Sequence, residues 1–283
     1  MITAGPLKHS RRHGVAAIAW LIASACAVTP QAEEPVPDAR AKYQPFGASY
    51  RGVTHSRIEQ TFNNQSDVTE VGMRYYVTAD VIQSDSLLHV TLTIDSITHV
   101  VASRAGTTGA QTDSARGVTY TGTLSQSGAL SGLSGGDGGG SLAEELSSRL
   151  LARFFPVIPD DGVEPGVIWT DTLETSATLG GVENTVHTIR RHEATEWTNY
   201  GNHIALLIHT ESDYSFSGAG VQVGQAFTLE GHGRRYSSQY LGADGRFLGF
   251  VSADTSEAEA HLTEAGIMIP VRQTRADTLT ISQ

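Results

Sequence analysis

The residues with the clearest capacity for chemistry are Gly132-Leu133-Ser134-Gly135-Gly136. A GxSxG run activates its serine when a buried strand delivers it to a sharp turn and a helix starts at once. Here Asp137 and Gly138 to Gly140 separate Ser134 from the nearest helical pattern. No alternating strand–helix units flank it, so the run reads as a loop in a Ser/Gly-rich tract. A serine hydrolase acting through Ser134 stands third among three functional readings. No Lys-Ser or Lys-Thr follows the glycines, which excludes a phosphate-binding loop.

The other chemistry-bearing residues do not converge along the chain. Nine histidines follow the first 25 residues. His203 and His209 could share a strand face, but six residues of strand put them ~20 Å apart, too far for one metal. His187 and His192 face opposite ways in a regular strand, while His89 and His99 fall with Asp95 on a polar face. With no HExxH or comparable spacing, the histidines read as surface residues, and neither a metal nor a cofactor is expected. Asp160-Asp161 and Glu144-Glu145 have ready roles in a turn and at a helix start. A glycosidase needs two acids facing across a cleft, which chain spacing does not display. No catalytic residue is assigned, and the chain is read as non-enzymatic.

Charge narrows the partners. Lys8, Arg11 and Arg12 lie in the first 25 residues; the remainder holds 16 basic against 30 acidic residues, a net −14 with neutral histidines. Such a surface repels nucleic acid and anionic headgroups. No nucleic-acid partner is expected, and a membrane would be reached only through a lipid anchor.

That anchor is suggested by residues 1–25, which read as an export signal. Lys8, His9, Arg11 and Arg12 form a positive region, and Gly14 to Ala25 is an apolar run too short to span a bilayer. Ala23-Ser24-Ala25 precedes Cys26, the only cysteine of the chain, so no internal disulfide forms. The arrangement resembles a bacterial lipobox, which implies lipidation of Cys26 and an exported protein, periplasmic or anchored to the outer membrane. The resemblance departs at Ala23, where leucine is usual; without lipidation the protein would be secreted. Residues 26–45, with Pro30, Glu33, Glu34, Pro35 and Pro37, form a stiff linker.

Residues 46–283 read as a single β-rich domain. Val71, Met73, Tyr75, Val77, Ala79 and Val81 alternate with polar residues, as do Leu88, Val90, Leu92 and Ile94. Val118, Tyr120 and Leu124 alternate with threonines after a Gly/Thr-rich loop at 103–113. Ile204, Leu206 and Ile208 mark an interior strand, and Asp244-Gly245 a tight hairpin. One helix is expected between the β halves, at about 141–155. Ser141 and Glu144 form a capping box, Leu142, Leu146, Leu150 and Phe154 recur every fourth residue, and Pro156 stops it. Burying that stripe is worth about 1.5–3 kcal/mol per large side chain.

The predicted fold is therefore all-β dominated: a strongly curved antiparallel sheet, or half-open barrel, closed by an amphipathic helix. This architecture looks like the open barrels of Lol-type periplasmic lipoprotein carriers and of mycobacterial lipid-binding lipoproteins. Separately, Phe155-Pro156, Pro165-Gly166 and Trp169-Thr170-Asp171-Thr172 resemble a feature of uncharacterised exported bacterial β-rich proteins. The carrier resemblance implies an acyl chain or other apolar ligand beneath the helix. Its candidate contacts are Leu146, Leu150, Phe154, Phe155 and Trp169. The alternative reading is a structural or partner-binding component of a cell-envelope assembly.

Overall fold

A computed structural model describes residues 40–62, 65–85, 87–104, 106–111, 115–136, 154–179, 182–222, 225–262 and 264–282. They fold as twelve strands: β1 (Phe46–Phe62), β2 (Gln65–Ser84), β3 (Leu87–Ser103), β4 (Gly106–Gln111), β5 (Thr119–Leu124), β6 (Leu130–Gly135), β7 (Ile168–Leu179), β8 (Val182–Tyr200), β9 (His203–Gln222), β10 (Gln225–Gly242), β11 (Phe247–Leu262) and β12 (Ile267–Ile281). All belong to one antiparallel sheet in the order β6-β5-β3-β2-β1-β12-β11-β10-β9-β8-β7, with β4 beside β3. Sequential hairpins build the β7–β12 wing, in the other wing β5 pairs back to β3 past β4, and β1 pairs with β12 at the centre. The path ends at β6 and β7, which do not pair with each other, so the sheet is not closed.

The period-2 patterns set which face is inward. Tyr75, Val77, Ala79 and Val81 of β2 are buried, as are Leu88, Val90, Leu92 and Ile94 of β3. Residues from β2, β3 and β5 share one apolar cluster with Leu206, Ile208, Leu241, Phe247 and Leu279 from the other wing, so the sheet curls around a common core. At Asp244-Gly245 the hairpin forms as expected, Gly245 taking φ 79°. A Cβ there would come 2.4 Å from the Lys42 carbonyl oxygen. Between Ala194 and Glu196 a bulge shifts β8 by one residue. Both Ala194 and Trp197 then join the core side.

Among the described residues there is no α-helix. Residues 137–153 of the expected helix, Leu146 and Leu150 with them, lie outside the described residues. Its last two expected residues, Phe154 and Phe155, are described and form a bend rather than helix. Both rings are buried, Phe154 packing edge-on to Tyr50 at 5.1 Å and to Phe247 at 5.7 Å. The physical reason is that these aromatics gain more from the sheet's core than from continuing a stripe into Pro156. Tyr43, inside the stretch read as linker, is fully buried and donates to the Pro156 carbonyl at 2.9 Å.

Two expected loops are strands. The Gly/Thr-rich tract 103–113 contains β4, whose threonines suit an extended edge, paired with β3. Ser134 lies inside β6, opposite Thr121 of β5, rather than in a loop. The strand-to-turn elbow that a nucleophilic serine needs is not its setting.

Candidate functional site

Beyond the apolar core, the inward face changes character. On β11 the alternation inverts: Ser252, Asp254 and Ser256 are buried, while Ala253, Thr255 and Glu257 are exposed. Thr54 and Ser56 of β1, Thr210 and Ser212 of β9 and Asp277 of β12 are buried in the same way. Buried polar groups on this scale must satisfy one another or face a polar space.

Register gathers them. Opposite one another across seven strands stand Asp171, Arg190, Ser212, Arg235, Asp254, Arg275 and Ser56, in the order β7, β8, β9, β10, β11, β12, β1. One step nearer the core runs a second rung: Trp169, His192, Thr210, Ser237, Ser252, Asp277 and Thr54. A strand pair places same-face side chains within about 5.5 Å, so each rung is a continuous strip of polar groups.

Two arginine–aspartate pairs lie within the first rung, and a third, Arg275 with Asp277, ties it to the second. Arg190 grips Asp171 bidentately, Nε to Oδ1 at 2.5 Å and Nη2 to Oδ2 at 2.6 Å. Arg235 donates Nε to Asp254 Oδ2 at 2.9 Å, and Tyr214 donates its hydroxyl to Oδ1 at 2.5 Å. Arg275 donates Nε to Asp277 Oδ1 at 2.9 Å, which also accepts from Thr54 at 2.7 Å. Such charge-assisted bonds are stronger than neutral ones and fix orientation. Burial alone would raise the Asp171 carboxyl. Contact with His192 and the hydrogen bonds and charge of Arg190 outweigh that and hold it below the usual carboxylate range. Tyr214 is pushed up by burial and by the Asp254 carboxylate, so its hydroxyl stays a donor.

His192, expected at the surface, is 1% exposed. Its even position on β8 turns it inward, where Trp169 stacks on it at 4.9 Å and 10°. Nδ1 meets Thr210 Oγ1 at 2.8 Å, and Thr210 donates to Gln239 Oε1 at 3.3 Å. Nε2 lies 3.4 Å from Asp171 Oδ1, in ion-pair range but without a formed hydrogen bond.

A cavity of about 640 Å³ lies over these rungs, within the range of small-molecule sites. Arg190, Arg235 and Arg275 line it with Asp254, Asp277, His192 and several serines, and Phe155 and Pro156 border it from the core. Thr188 also lines it; its Oγ1 is buried with no partner among the described residues. Tyr75 Oη, fully buried, likewise has no partner among the described residues.

Sequence-expected site residues thus divide. Phe155 reaches the cavity border, Phe154 is wholly core, and Trp169 braces His192 while donating to the Val157 carbonyl at 3.0 Å. Cys26, Leu146 and Leu150 lie outside the described residues. The arginines and aspartates of the rungs went unnoticed in the sequence. A usable signal exists in the doublets Arg190-Arg191 and Arg234-Arg235. Strands polar at both parities have a wet face on each side of the sheet.

The outward face carries Arg57, Glu230, Arg234, Glu257 and Arg272, all exposed near mid-strand, interspersed with exposed Val53, Ile189, Tyr236 and Val251. A lipid-facing barrel would carry an apolar band there. No helix among the described residues is long and apolar enough to cross a membrane.

No protein-family model matches the sequence, and no curated protein matches it. Among solved structures the chain is similar to Pseudomonas aeruginosa OccK2 (OpdF), with 8% identity over 84% of this chain and 98% of that one, at a TM-score of 0.26. The same protein in complex with glucuronate gives the same identity, coverage and TM-score. A likeness of that size carries no information on the function of this chain.

Proposed function

We propose that this chain is an exported, non-enzymatic binding protein whose inward sheet face holds a small polar ligand over the arginine–aspartate rungs. One observation carries the reading: a 640 Å³ cavity lined by the Arg235–Asp254 and Arg275–Asp277 ion pairs, by Arg190 and by Ser212, Ser237, Ser252 and Ser256. The lining moves the ligand's chemistry from apolar to polar. An acyl chain lying across the rungs would cover paired charges without replacing their water, a loss that grows with burial. Phe154 and Phe155, read as the roof of an apolar space, instead fill the core beside it.

Native mass spectrometry of the purified protein, followed by extraction, tests this. A co-purifying polar species that raises the melting temperature when added back supports it; co-purified lipid that does so overturns the polar assignment. Export and lipidation rest on the leader and Cys26. Cys26→Ser should move the protein from the membrane fraction to the soluble fraction, and unchanged fractionation would remove the anchor from the proposal.

A second reading, a partner-binding component of an envelope assembly, is favoured by β7. Among the described residues its twelve residues pair only with β8, so its other edge could accept a strand from another chain.

A further inference from the structure

The composition of the cavity allows its ligand to be named by class. We infer that it is a neutral, hydroxyl-rich molecule, a saccharide, whose ring lies on Phe216 and Tyr214; this rests on the binding reading above.

The charges come first. Arg190, Arg235 and Arg275 are each matched by an aspartate within the rungs, so fixed charge cancels pair by pair. At Arg235 and Arg275 an anion would meet Asp254 and Asp277 on the same wall, and a cation the reverse; Arg190 is offset by Asp171 behind the wall and by the Glu174 carboxylate at it. Neither gains net Coulomb attraction. A hydroxyl, which both donates and accepts, can use both members of each pair. Arg235 and Arg190 commit Nε and one face of the guanidinium to their aspartates. Each still has further N–H groups among the five that a guanidinium carries.

Aromatic platforms supply the second element. Beside Tyr214 and Phe216 on β9, the neighbouring strand β10 presents Gly233 and Gly231. A Cβ on Gly233 would come 2.4 Å from Tyr214 Cζ, and one on Gly231 would come 2.4 Å from Phe216 Cζ. The tips of both rings therefore reach over bare backbone that a side chain would occupy, and both residues line the cavity. Their centroids are 6.1 Å apart, tilted by 32°. A sugar ring has an apolar C–H face that packs on the electron-rich face of an aromatic ring. Its hydroxyls project sideways, toward the hydroxyls and ion pairs of the rungs. Gln273, on the same cavity wall, adds an amide donor and acceptor.

The experiment titrates the purified protein by calorimetry with maltohexaose, cellohexaose, laminarihexaose and chitohexaose, and in separate arms with inorganic phosphate and with oleate. The expected result is saturable binding of at least one oligosaccharide. Phe216→Ala should weaken it tenfold or more and Gln273→Ala severalfold, with far-ultraviolet circular dichroism unchanged. Gln273 takes no part in the ion pairs, so its variant still reads the site if Phe216→Ala fails to fold. Phosphate or oleate binding that Gln273→Ala weakens, with all four oligosaccharides inert, would overturn the saccharide assignment and leave a binding site. Silence in every arm would overturn the binding reading as well.

Discussion

Arg234 and Arg235 are consecutive residues of β10 that pair with aspartates on opposite faces of the sheet. Outward, Arg234 Nε meets Asp213 Oδ1 at 2.8 Å, with side chains 55% and 62% exposed. Inward, Arg235 Nη2 meets Asp254 Oδ2 at 2.8 Å, with side chains 25% and 5% exposed. The distance is the same; the inward pair differs by its burial, by a second contact through Arg235 Nε and by the Tyr214 hydroxyl on Asp254. Asp213→Ala should cost only the ~0.2–1 kcal/mol of an exposed pair. Asp254→Ala strands a half-buried guanidinium and removes the acceptor of the Tyr214 hydroxyl. Breaking a buried pair costs about 3–5 kcal/mol, and the partial exposure of Arg235 lowers the expectation to about 2–4 kcal/mol. Urea denaturation followed by tryptophan fluorescence measures both, provided the slopes agree. A double-mutant cycle with Arg235→Met should show coupling above ~1.5 kcal/mol, against less than ~1 kcal/mol for Arg234→Met with Asp213→Ala. Equal costs for the two aspartates, within about 0.5 kcal/mol, would refute the claim that the inward rung is desolvated.

Other perturbations probe other parts of the fold. Phe154→Ala should cost about 3–5 kcal/mol, since its ring contacts Tyr50, Phe155 and Phe247 edge-on; a loss below ~1 kcal/mol in urea titration would mean that it is not core. Gly233→Ala should displace Tyr214 and destabilise by about 1–3 kcal/mol, with a change in the near-ultraviolet tyrosine signal as its marker. Asp171 ionises more readily folded than unfolded, so its contribution is complete above the ordinary carboxylate pKa of about 3.9 and fades as pH falls through its lowered value. Thermal melts of Asp171→Asn across that acid range should therefore lose stability less steeply than the parent; identical slopes would contradict the shift.

What was legible in the sequence followed from one physical signal. Where an apolar core lies on one side and water on the other, period 2 is visible, as in Val77-Ala79-Val81 and Leu88-Val90-Leu92. The hairpin at Asp244-Gly245 declared itself through backbone geometry. The site gave no such signal, because Ser252, Asp254 and Ser256 face inward while Ala253 and Thr255 face out, the reverse of an amphipathic strand. Asp171, Arg190, Arg235 and Arg275 converge only through register across separate hairpins, a long-range property that local spacing does not encode. His192 looked like a surface residue because nothing adjacent to it announces the stacked Trp169, 23 positions earlier in the chain. Phe154 and Phe155 fitted a helical stripe, yet tertiary packing overrode the periodicity.

The pairing of β1 with β12 has a kinetic consequence. Thr54 and Asp277, bonded across that seam, are 223 positions apart. Closing a loop of that length in an unstructured chain costs about 5 kcal/mol in entropy beyond a constant term. Each wing is a run of local strand pairings that can zip independently, shortening the effective loop before the seam closes. During synthesis, the β1 edge stays without its second neighbour until β12 emerges, an interval in which it can capture a strand of another copy. Pulse-labelled hydrogen exchange on refolding should show the β1–β12 amides protected after those of β2–β3 and β9–β10. Simultaneous protection would mean that the two wings are born already joined.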